Sequence, residues 1–176
     1  MSFVARNHPQ QTSTRGALDD VDDRRTPFDL MDECMILARI ETLDLDVAAN
    51  RHNRLADSYY TIGNSGLENC WYGNVWCNPP YSDIRPWAMK AAAEIHRCKR
   101  IAMLLPANRT EQGWWQDLIE PGRIDGAIDV YFLRGRRRFD RPGWVPPAKG
   151  DRPPFGLALV VWKREQTAKF YETTAK

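Results

Sequence analysis

The stretch that decides the fold is residues 74 to 91, NVWCNPPYSDIRPWAMKA. Its apolar start, Asn74 to Cys77, is typical of a short buried strand. From Ile84 to near Cys98, apolar residues recur at the spacing of one helical face. Residues Asn78 to Tyr81 therefore lie between a strand and a helix, which in an open α/β sheet is the carboxyl edge, where ligands bind.

The rest of the chain predicts further alternation of strands and helices, an α/β class with a mainly parallel sheet. The last two predicted strands have no helix between them, which favours an antiparallel edge pair. The first predicted helix runs from Pro27 to about Ile40. The helix after the motif has Asp83 as its N-cap and Pro86 in its first turn. A third, short helix is predicted from Trp114 to Ile119 and is ended by Pro121-Gly122. The other predicted strands are Leu43 to Ala49, Arg100 to Leu105 ended by Pro106, Ala127 to Leu133, and Phe155 to Trp162.

Length and composition indicate one soluble domain. The chain has 176 residues, of which 43% are apolar and 27% charged. Residues 1–25 carry few large apolar side chains, so we expect a disordered or loosely attached lead-in. Residues 26–165 are the predicted domain and residues 166–176 a C-terminal tail.

Several classes of protein are excluded by what the sequence lacks. The longest uncharged apolar stretch is residues 155–162, whereas a membrane span needs roughly twenty residues. The chain start lacks the apolar run of a secretory signal. The four cysteines and three histidines show no metal-ligand spacing. We therefore expect a reduced, intracellular protein without a metal site or a membrane partner.

Positive charge is concentrated in one segment, although the net charge is only +2. Residues 134–152 contain seven basic and two acidic side chains. Four arginines beside aromatic Phe139 suit contacts with nucleic-acid phosphates, and these are Arg134, Arg136, Arg137 and Arg138. The alternative is a solvated basic hairpin, the usual fate of a charge run.

The tetrapeptide Asn78 to Tyr81 has a chemistry of its own. Two prolines have no N–H, so the loop is rigid, rich in acceptors and poor in donors. The side-chain oxygen of Asn78 and the carbonyl of Pro79 can both accept from one planar NH₂ group, while Tyr81 offers a ring for stacking. These features predict a site for an exocyclic amine or amide; the alternative is a proline-rich turn without chemistry.

Asn78 to Tyr81 resembles the catalytic motif of the S-adenosylmethionine-dependent amino-methyltransferases. The surrounding sequence is similar to the phage-type DNA N6-adenine methyltransferases, a Dam-like family. The likeness extends from Thr26 to Trp162, and its further anchors are Thr26-Pro27, Leu45 to Ala49, Asn53, Tyr60, Pro86-Trp87, Lys90-Ala91, Leu104 to Ala107, Arg134 to Arg136 and Phe139.

This resemblance implies a Rossmann-like domain that methylates N6 of a flipped-out adenine in double-stranded DNA. Asn78 and Pro79 would accept hydrogen bonds from the amine, Pro80 would hold the loop rigid, and Tyr81 would stack on the base. Asparagine at the head of the motif favours adenine over cytosine. The alternatives are the same chemistry on RNA or on a protein glutamine, or a non-catalytic DNA-binding module.

The implied cofactor is S-adenosylmethionine. Thr26 and Pro27 resemble the segment that lines its methionine end, and Asp46 stands where a carboxylate meets its cationic or ribose part. Ala48-Ala49-Asn50 occupies the place of the usual glycine-rich turn, so we expect a different turn there. Asp46 could instead cap a turn. Asn53 and Tyr60 stay open between cofactor contact and loop packing.

The resemblance also implies a setting. The sequence leaves little room for a separate recognition domain, so residues Asn108 to Gly113 and Arg136 to Asp151 would read the DNA. A monomer is assumed. The expected location is the cytoplasm of a bacterial host. By analogy with phage enzymes, the expected role is protection of DNA from host restriction.

Overall fold

A five-stranded sheet is the middle layer of the computed structural model, which describes residues 25–140 and 153–164. The strands stand in the order β1-β2-β3-β5-β4. In chain order the elements are α1 Phe28–Ala38, β1 Leu45–Asp46, β2 Gly73–Cys77, α2 Arg85–Glu94, β3 Cys98–Pro106, α3 Gly113–Leu118, α4 Glu120–Ile124, β4 Ile128–Phe132 and β5 Leu157–Lys163.

Strand directions confirm the predicted fold class. β1, β2 and β3 are parallel neighbours. β5 lies between β3 and β4 and is antiparallel to both. Four strands therefore share one direction, and the final two form the antiparallel pair expected at the edge.

The core has two layers because successive strand residues face opposite sides of the sheet. Along β3, Ile101, Met103 and Leu105 join the layer that α2 and α3 cover. Ala102 and Leu104 join the other layer, with buried residues of α1. Helices thus cover both faces of a mainly parallel sheet, the Rossmann-like arrangement that the resemblance implied.

The first strand is shorter than the sequence predicts. Leu43 to Ala49 was expected, but the ladder contains Leu45 and Asp46. Its flanks still bond to β2, since the N–H of Asp44 and that of Val47 donate to the carbonyls of Asn74 and Trp76 at 2.9 and 3.0 Å. Beyond Val47 the chain bends away from the sheet, which ends the strand.

The start of α2 differs from the prediction. Ile84, not Asp83, is the N-cap, and no side chain caps this helix. The N–H of Asp83 instead donates to the Pro80 carbonyl at 3.3 Å, so this residue belongs to the turn before the helix. Pro86 does lie in the first turn. The helix ends at Glu94, because Cys98 already begins β3.

Pro121 and Gly122 do not close the helical region as predicted. They lie inside a second short helix, α4, with the proline in its first turn. A proline is tolerated there because its missing N–H has no intrahelical acceptor anyway. The Pro-Gly pair therefore lies close to the boundary between two short helices and does not end the helical region.

A connection from residue 47 to residue 72 joins β1 to β2. Part of it extends the sheet, since the Asp46 N–H donates to the Ser58 carbonyl at 3.0 Å and the Tyr60 N–H donates to the Asp46 carbonyl at 2.8 Å. Further along, a Cβ on Gly66 would lie 2.2 Å from the Val47 carbonyl oxygen. Glycine is thus required where the connection crosses its own start.

A buried carboxylate ties this connection to α2. Glu94 accepts from the Trp71 N–H at 3.1 Å and from Lys90 Nζ at 2.7 Å. The Trp71 indole donates in turn to the Gly66 carbonyl at 2.7 Å. Burial acts to raise the pKa of Glu94, but the hydrogen bonds from Lys90 and Trp71 outweigh it and hold that pKa below its usual value.

The described residues neither test every domain boundary nor reveal a membrane helix. Residues 1–24, 141–152 and 165–176 lie outside them, so the lead-in, the tail and most of the predicted 136–151 reading loop stay predictions. Within the described ranges, no helix has the length and apolarity to cross a membrane. The same residues contain no cluster of three or more metal-ligating side chains.

We expect Glu94→Gln to lower the melting temperature at neutral pH. The amide loses the charge that Lys90 pairs with and weakens the tie to Trp71. Because the folded pKa is depressed, the carboxylate contributes stability above the unfolded pKa of about 4.3 and loses it as pH falls through the folded value. Melting curves from pH 7 to pH 3 should converge for parent and variant. Exposed Glu68→Gln is the control, and a pH-independent gap would contradict the assignment.

Candidate active site

Four strand ends and one strand start meet at the carboxyl edge of the sheet. The Ala107 N–H, after β3, donates to the Gly156 carbonyl before β5 at 2.9 Å, and the Leu133 N–H, after β4, donates to the Leu157 carbonyl at the same distance. Asn78 follows β2 directly. The predicted catalytic motif therefore lies at this edge, between the ends of β1 and β3.

Asn78 contacts a residue far from it in sequence. Its Nδ2 donates to Thr26 Oγ1 at 3.3 Å, and Thr26 is only 2% exposed. Thr26 is held there because Arg25 and Asp140 exchange two backbone hydrogen bonds, at 3.0 and 2.8 Å, and Pro27 is the N-cap of α1. A predicted catalytic side chain and a predicted cofactor residue are thus in direct contact.

Tyr81 lies in a group of three aromatic rings. Phe139 and Phe155 meet it edge to face, with centroid distances of 6.2 and 5.8 Å. The Tyr81 carbonyl accepts from Arg109 Nη1 at 2.7 Å. Arg109 follows β3, Phe139 follows β4 and Phe155 precedes β5. The loops at the carboxyl edge of these three strands therefore hold Tyr81 in place.

The two prolines form the bend between these anchors. Pro79 is buried and Pro80 half-buried. The Pro80 carbonyl closes the turn with Asp83. Their fixed φ keeps Asn78 and Tyr81 at a constant separation along the edge.

Asp46 is buried at the end of β1, 2% exposed. Its Oδ2 accepts from the Leu55 N–H at 3.0 Å and its Oδ1 from the Ala48 N–H at 3.4 Å. Burial raises the pKa of Asp46 to about 6, against these two hydrogen bonds, which lower it. The geometry matches the turn-cap alternative, and a cofactor contact by this carboxylate stays a prediction.

Asn53 and Asn50 shape the turn that follows. The Asn50 N–H donates to Asn53 Oδ1 at 2.6 Å and the Asn53 N–H donates to Asn50 Oδ1 at 3.1 Å. Half-buried Ala48 packs against the core layer under α2. No residue from 47 to 55 has a positive φ, so this turn does not need glycine.

Tyr60 makes its contacts within the connection between β1 and β2. Its hydroxyl donates to the Cys70 carbonyl at 2.8 Å, and its ring packs on the same core layer. For Tyr60 and Asn53 alike, these contacts match the loop-packing alternative, and a cofactor contact by either side chain stays a prediction.

The predicted DNA-binding arginines divide into two groups. Arg134 and Arg136 are exposed on either side of Gly135, which has a φ of 75° and open space around it. Arg137 instead forms an ion pair with Glu33 of α1, and its Nη1 lies 3.6 Å from Asp29 Oδ2.

The two side chains that follow Arg137 are less exposed than Arg134 and Arg136. Arg138 is half-buried, and Phe139 is buried beside Tyr81. The segment therefore presents Arg134 and Arg136 outward and uses Arg137 and Phe139 to attach itself to the domain.

A protein-family model described as DNA N-6-adenine-methyltransferase (Dam) matches residues 12–166 of the chain. The chain belongs to the Dam family. The match includes the motif, Thr26, Asp46 and the basic segment, so the resemblance stated above is confirmed.

Two phage relatives agree with the family model. A DNA N-6-adenine-methyltransferase of Escherichia phage T1 is 36% identical over 69 residues, covering 38% of this chain and 29% of the relative. Another of that name, from Haemophilus phage HP1, is 28% identical over 97 residues, covering 53% of this chain and 52% of the relative. The chain thus spans about half or less of these relatives' lengths.

A solved structure from Pyrococcus horikoshii is provisionally named an RNA methyltransferase. The alignment covers 61% of this chain and 49% of the chain in that structure. The TM-score is 0.37 and the identity 13%.

Three residues of this Dam-family site escaped the sequence reasoning. Arg109 was predicted only as one residue of the DNA-reading loop Asn108 to Gly113, without a role of its own. Phe155 was assigned to a strand, and Phe139 was noted as an anchor of the resemblance and as an aromatic neighbour of the arginines, without a place in the site. The signal available in sequence was their place near the ends of predicted strands: Arg109 and Phe139 follow a strand and Phe155 begins one, at the edge where side chains converge.

We expect Asp46→Asn to destabilise the fold by about 1 to 3 kcal/mol, because an amide has one acceptor oxygen and a buried N–H of Ala48 or Leu55 loses its partner. The raised pKa means that the parent gains stability as pH falls from 7 towards 5, since the folded carboxyl takes up its proton first. The deficit of the variant should therefore grow over this range.

Chemical unfolding of both proteins without methyl donor measures the effect. Asp57→Asn is the control, because that side chain is exposed. Equal stability of parent and Asp46→Asn at every pH would contradict the capping role.

Proposed function

We propose that this Dam-family chain transfers a methyl group from S-adenosylmethionine to N6 of adenine in double-stranded DNA. The observation that carries the proposal is the arrangement of Asn78 at the carboxyl edge. Its Nδ2 donates to Thr26 Oγ1, and its Oδ1 is the atom that can accept a hydrogen bond from a substrate amine. The names of the phage relatives specify methylation of N6 of adenine in DNA.

The reaction requires a nucleophilic nitrogen, but the lone pair of the adenine amine is delocalised into the ring. Asn78 Oδ1 and the Pro79 carbonyl would accept the two N6 hydrogens. These bonds favour a pyramidal nitrogen and stabilise the positive charge that develops on it. A strong general base is not needed, because the proton leaves from an already cationic nitrogen.

Tyr81 is the proposed stacking partner of the adenine. A base inside a duplex is out of reach, so it must leave the stack, at a cost of about a few kcal/mol. A stacking ring is most effective when it is already in place. The edge-to-face contacts with Phe139 and Phe155, and the bond from Arg109 to the Tyr81 carbonyl, supply that rigidity.

S-adenosylmethionine, when bound, supplies an electrophilic methyl group on a sulfonium. The chemistry of the β1 end suits such a cation, since the buried Asp46 carboxylate has a raised pKa and receives only two backbone N–H donors from the described residues. Thr26 and Pro27 are proposed to line its methionine end. Ala48 and Asn53 are proposed to act by shaping the turn.

Arg134 and Arg136 are the proposed phosphate contacts. Both are exposed at the carboxyl edge, on the same segment as Phe139. Arg137 is engaged with Glu33, so we limit the backbone-contact proposal to Arg134 and Arg136. The proposed setting is a monomer in the cytoplasm of a phage-infected bacterium.

The experiment is incubation of the purified chain with unmethylated duplex DNA and methyl-labelled S-adenosylmethionine, followed by nucleoside analysis. Label in N6-methyladenine is the expected result. Parallel reactions with single-stranded DNA, RNA and a glutamine-containing peptide test the other substrates. Label in cytosine, RNA or peptide alone, or none with any substrate, would overturn the proposal.

We expect Asn78→Ala to lower kcat roughly a hundredfold or more, because one preorganised acceptor for the developing charge is lost. The dissociation constant of S-adenosylmethionine should change little. Asn74→Ala is the matched control, since this asparagine stands at the other end of β2 and donates to the Thr42 carbonyl. A variant within a few-fold of the parent would remove Asn78 from catalysis.

Single alanine variants separate the two groups of arginines. Arg134→Ala and Arg136→Ala should each reduce the salt dependence of log affinity for DNA by about one unit. Arg137→Ala should lower the melting temperature instead, since it leaves Glu33 without its cation, and should leave the salt slope unchanged. The reverse pattern would return Arg134 and Arg136 to a solvated surface.

A further inference from the structure

We propose that Arg109 binds a DNA phosphate next to the flipped adenine, in addition to holding Tyr81 in place. The inference rests on the proposed function and names a substrate contact that the motif itself does not supply. It comes from a guanidinium that lies against the motif and forms no ion pair among the described residues.

The contact between Arg109 and the motif has one possible direction, because a guanidinium donates hydrogen bonds and cannot accept them. Nη1 of Arg109 donates to the Tyr81 carbonyl at 2.7 Å. A guanidinium has five N–H groups, and this carbonyl takes one of them. The carbonyl is neutral, so the bond orients the guanidinium and leaves its charge uncompensated. The remaining donors and the positive charge suit an oxyanion.

The loop that carries Arg109 is held in place by its own hydrogen bonds. The Arg109 carbonyl accepts from the N–H of Gln112, the N-cap of α3, at 3.2 Å. Gln112 Oε1 accepts in turn from the indole of Trp114, a buried residue, at 2.6 Å. The Arg109 side chain is itself half-buried. The guanidinium is therefore largely ordered before a ligand arrives, which lowers the entropy cost of binding.

The position of Arg109 favours DNA over the methyl donor as the source of that oxyanion. Asp46 ends β1, Asn78 follows β2 and Arg109 follows β3, so the motif lies between the other two along the sheet edge. The proposed donor site is on the Asp46 side. Arg109 lies on the opposite side, bonded to the residue that is proposed to stack on the adenine.

Base flipping brings a phosphate to this point. The target nucleotide turns about its own backbone, so the phosphates on its two sides move with it towards the site. Arginine binds phosphate through charge-assisted hydrogen bonds, which are stronger than neutral ones. One guanidinium would thus hold the Tyr81 backbone and the backbone of the nucleotide whose base stacks on Tyr81.

The test uses the full chain and a duplex with one methylated adenine, identified from the reaction proposed above. The phosphates on the two sides of that adenine are replaced, one at a time, by a methylphosphonate, which has no charge. Binding is measured at constant salt with S-adenosylhomocysteine, the demethylated donor, so that no turnover occurs. At one of the two positions, we expect the parent to lose about tenfold or more in affinity, because a charged hydrogen bond is lost.

Variants of Arg109 should be insensitive to the same replacement. We expect Arg109→Ala to bind the unmodified duplex about tenfold or more weakly than the parent, and the methylphosphonate to cost it less than about twofold. Arg109→Gln has no charge but keeps an N–H for the Tyr81 carbonyl, so it tests the phosphate contact if alanine does not fold, with melting temperatures as the check. Arg97→Ala is the matched control, an exposed arginine before β3 at the other edge of the sheet, and should keep the full sensitivity of the parent.

A purely structural role of Arg109 predicts a different pattern. If Arg109 only braces Tyr81, the methylphosphonate costs the parent and the variants the same factor, and the inference is overturned. It is also overturned if neither methylphosphonate affects the parent, or if Arg109→Ala weakens binding of S-adenosylmethionine in the absence of DNA. A parent that methylates no adenine contradicts the proposed function itself, whereas a parent that methylates adenine without this coupling contradicts the Arg109 inference alone.

Discussion

The insertion of β5 between β3 and β4 is the constraint on which the site depends. Every residue of β5 from Leu157 to Trp162 is buried, and the strand pairs along its length with β3 on one side and β4 on the other. Because β5 runs against its neighbours, its start, not its end, lies at the carboxyl edge. That reversal delivers Phe155 to Tyr81 and allows the chain after β4 to place Phe139 there too.

The sequence was most informative where local and tertiary forces agree. The apolar runs of β2, β3 and β5 predicted buried strands because a strand covered on both faces needs apolar residues throughout. It misled at Asp83, whose side chain suits an N-cap. There the turn closed by Pro80 takes up the Asp83 N–H, and Ile84 becomes the N-cap of the helix instead.

For the site, the position of the motif was predictable and its supports were not. A strand followed by Asn78 to Tyr81 and a helix fixes the edge at which the motif lies. Thr26 is distant from Asn78 in sequence and Arg109 from Tyr81, and no periodicity links them. The first contact depends on the Arg25 to Asp140 pairing, and the second on the parallel pairing of β2 with β3, which brings the loop after β3 beside the motif.

The cofactor side of the site shows how side chains can replace glycine. A glycine-rich turn gains its shape from backbone torsions that other residues avoid. Here the turn after β1 keeps negative φ, and its shape comes from the Asp46 carboxylate and the Asn50 and Asn53 amides, each accepting from a nearby N–H. The cost is a desolvated carboxylate, visible in its raised pKa. A cation beside that carboxylate would relieve the cost, so the same feature that builds the turn favours a positively charged ligand over a neutral one.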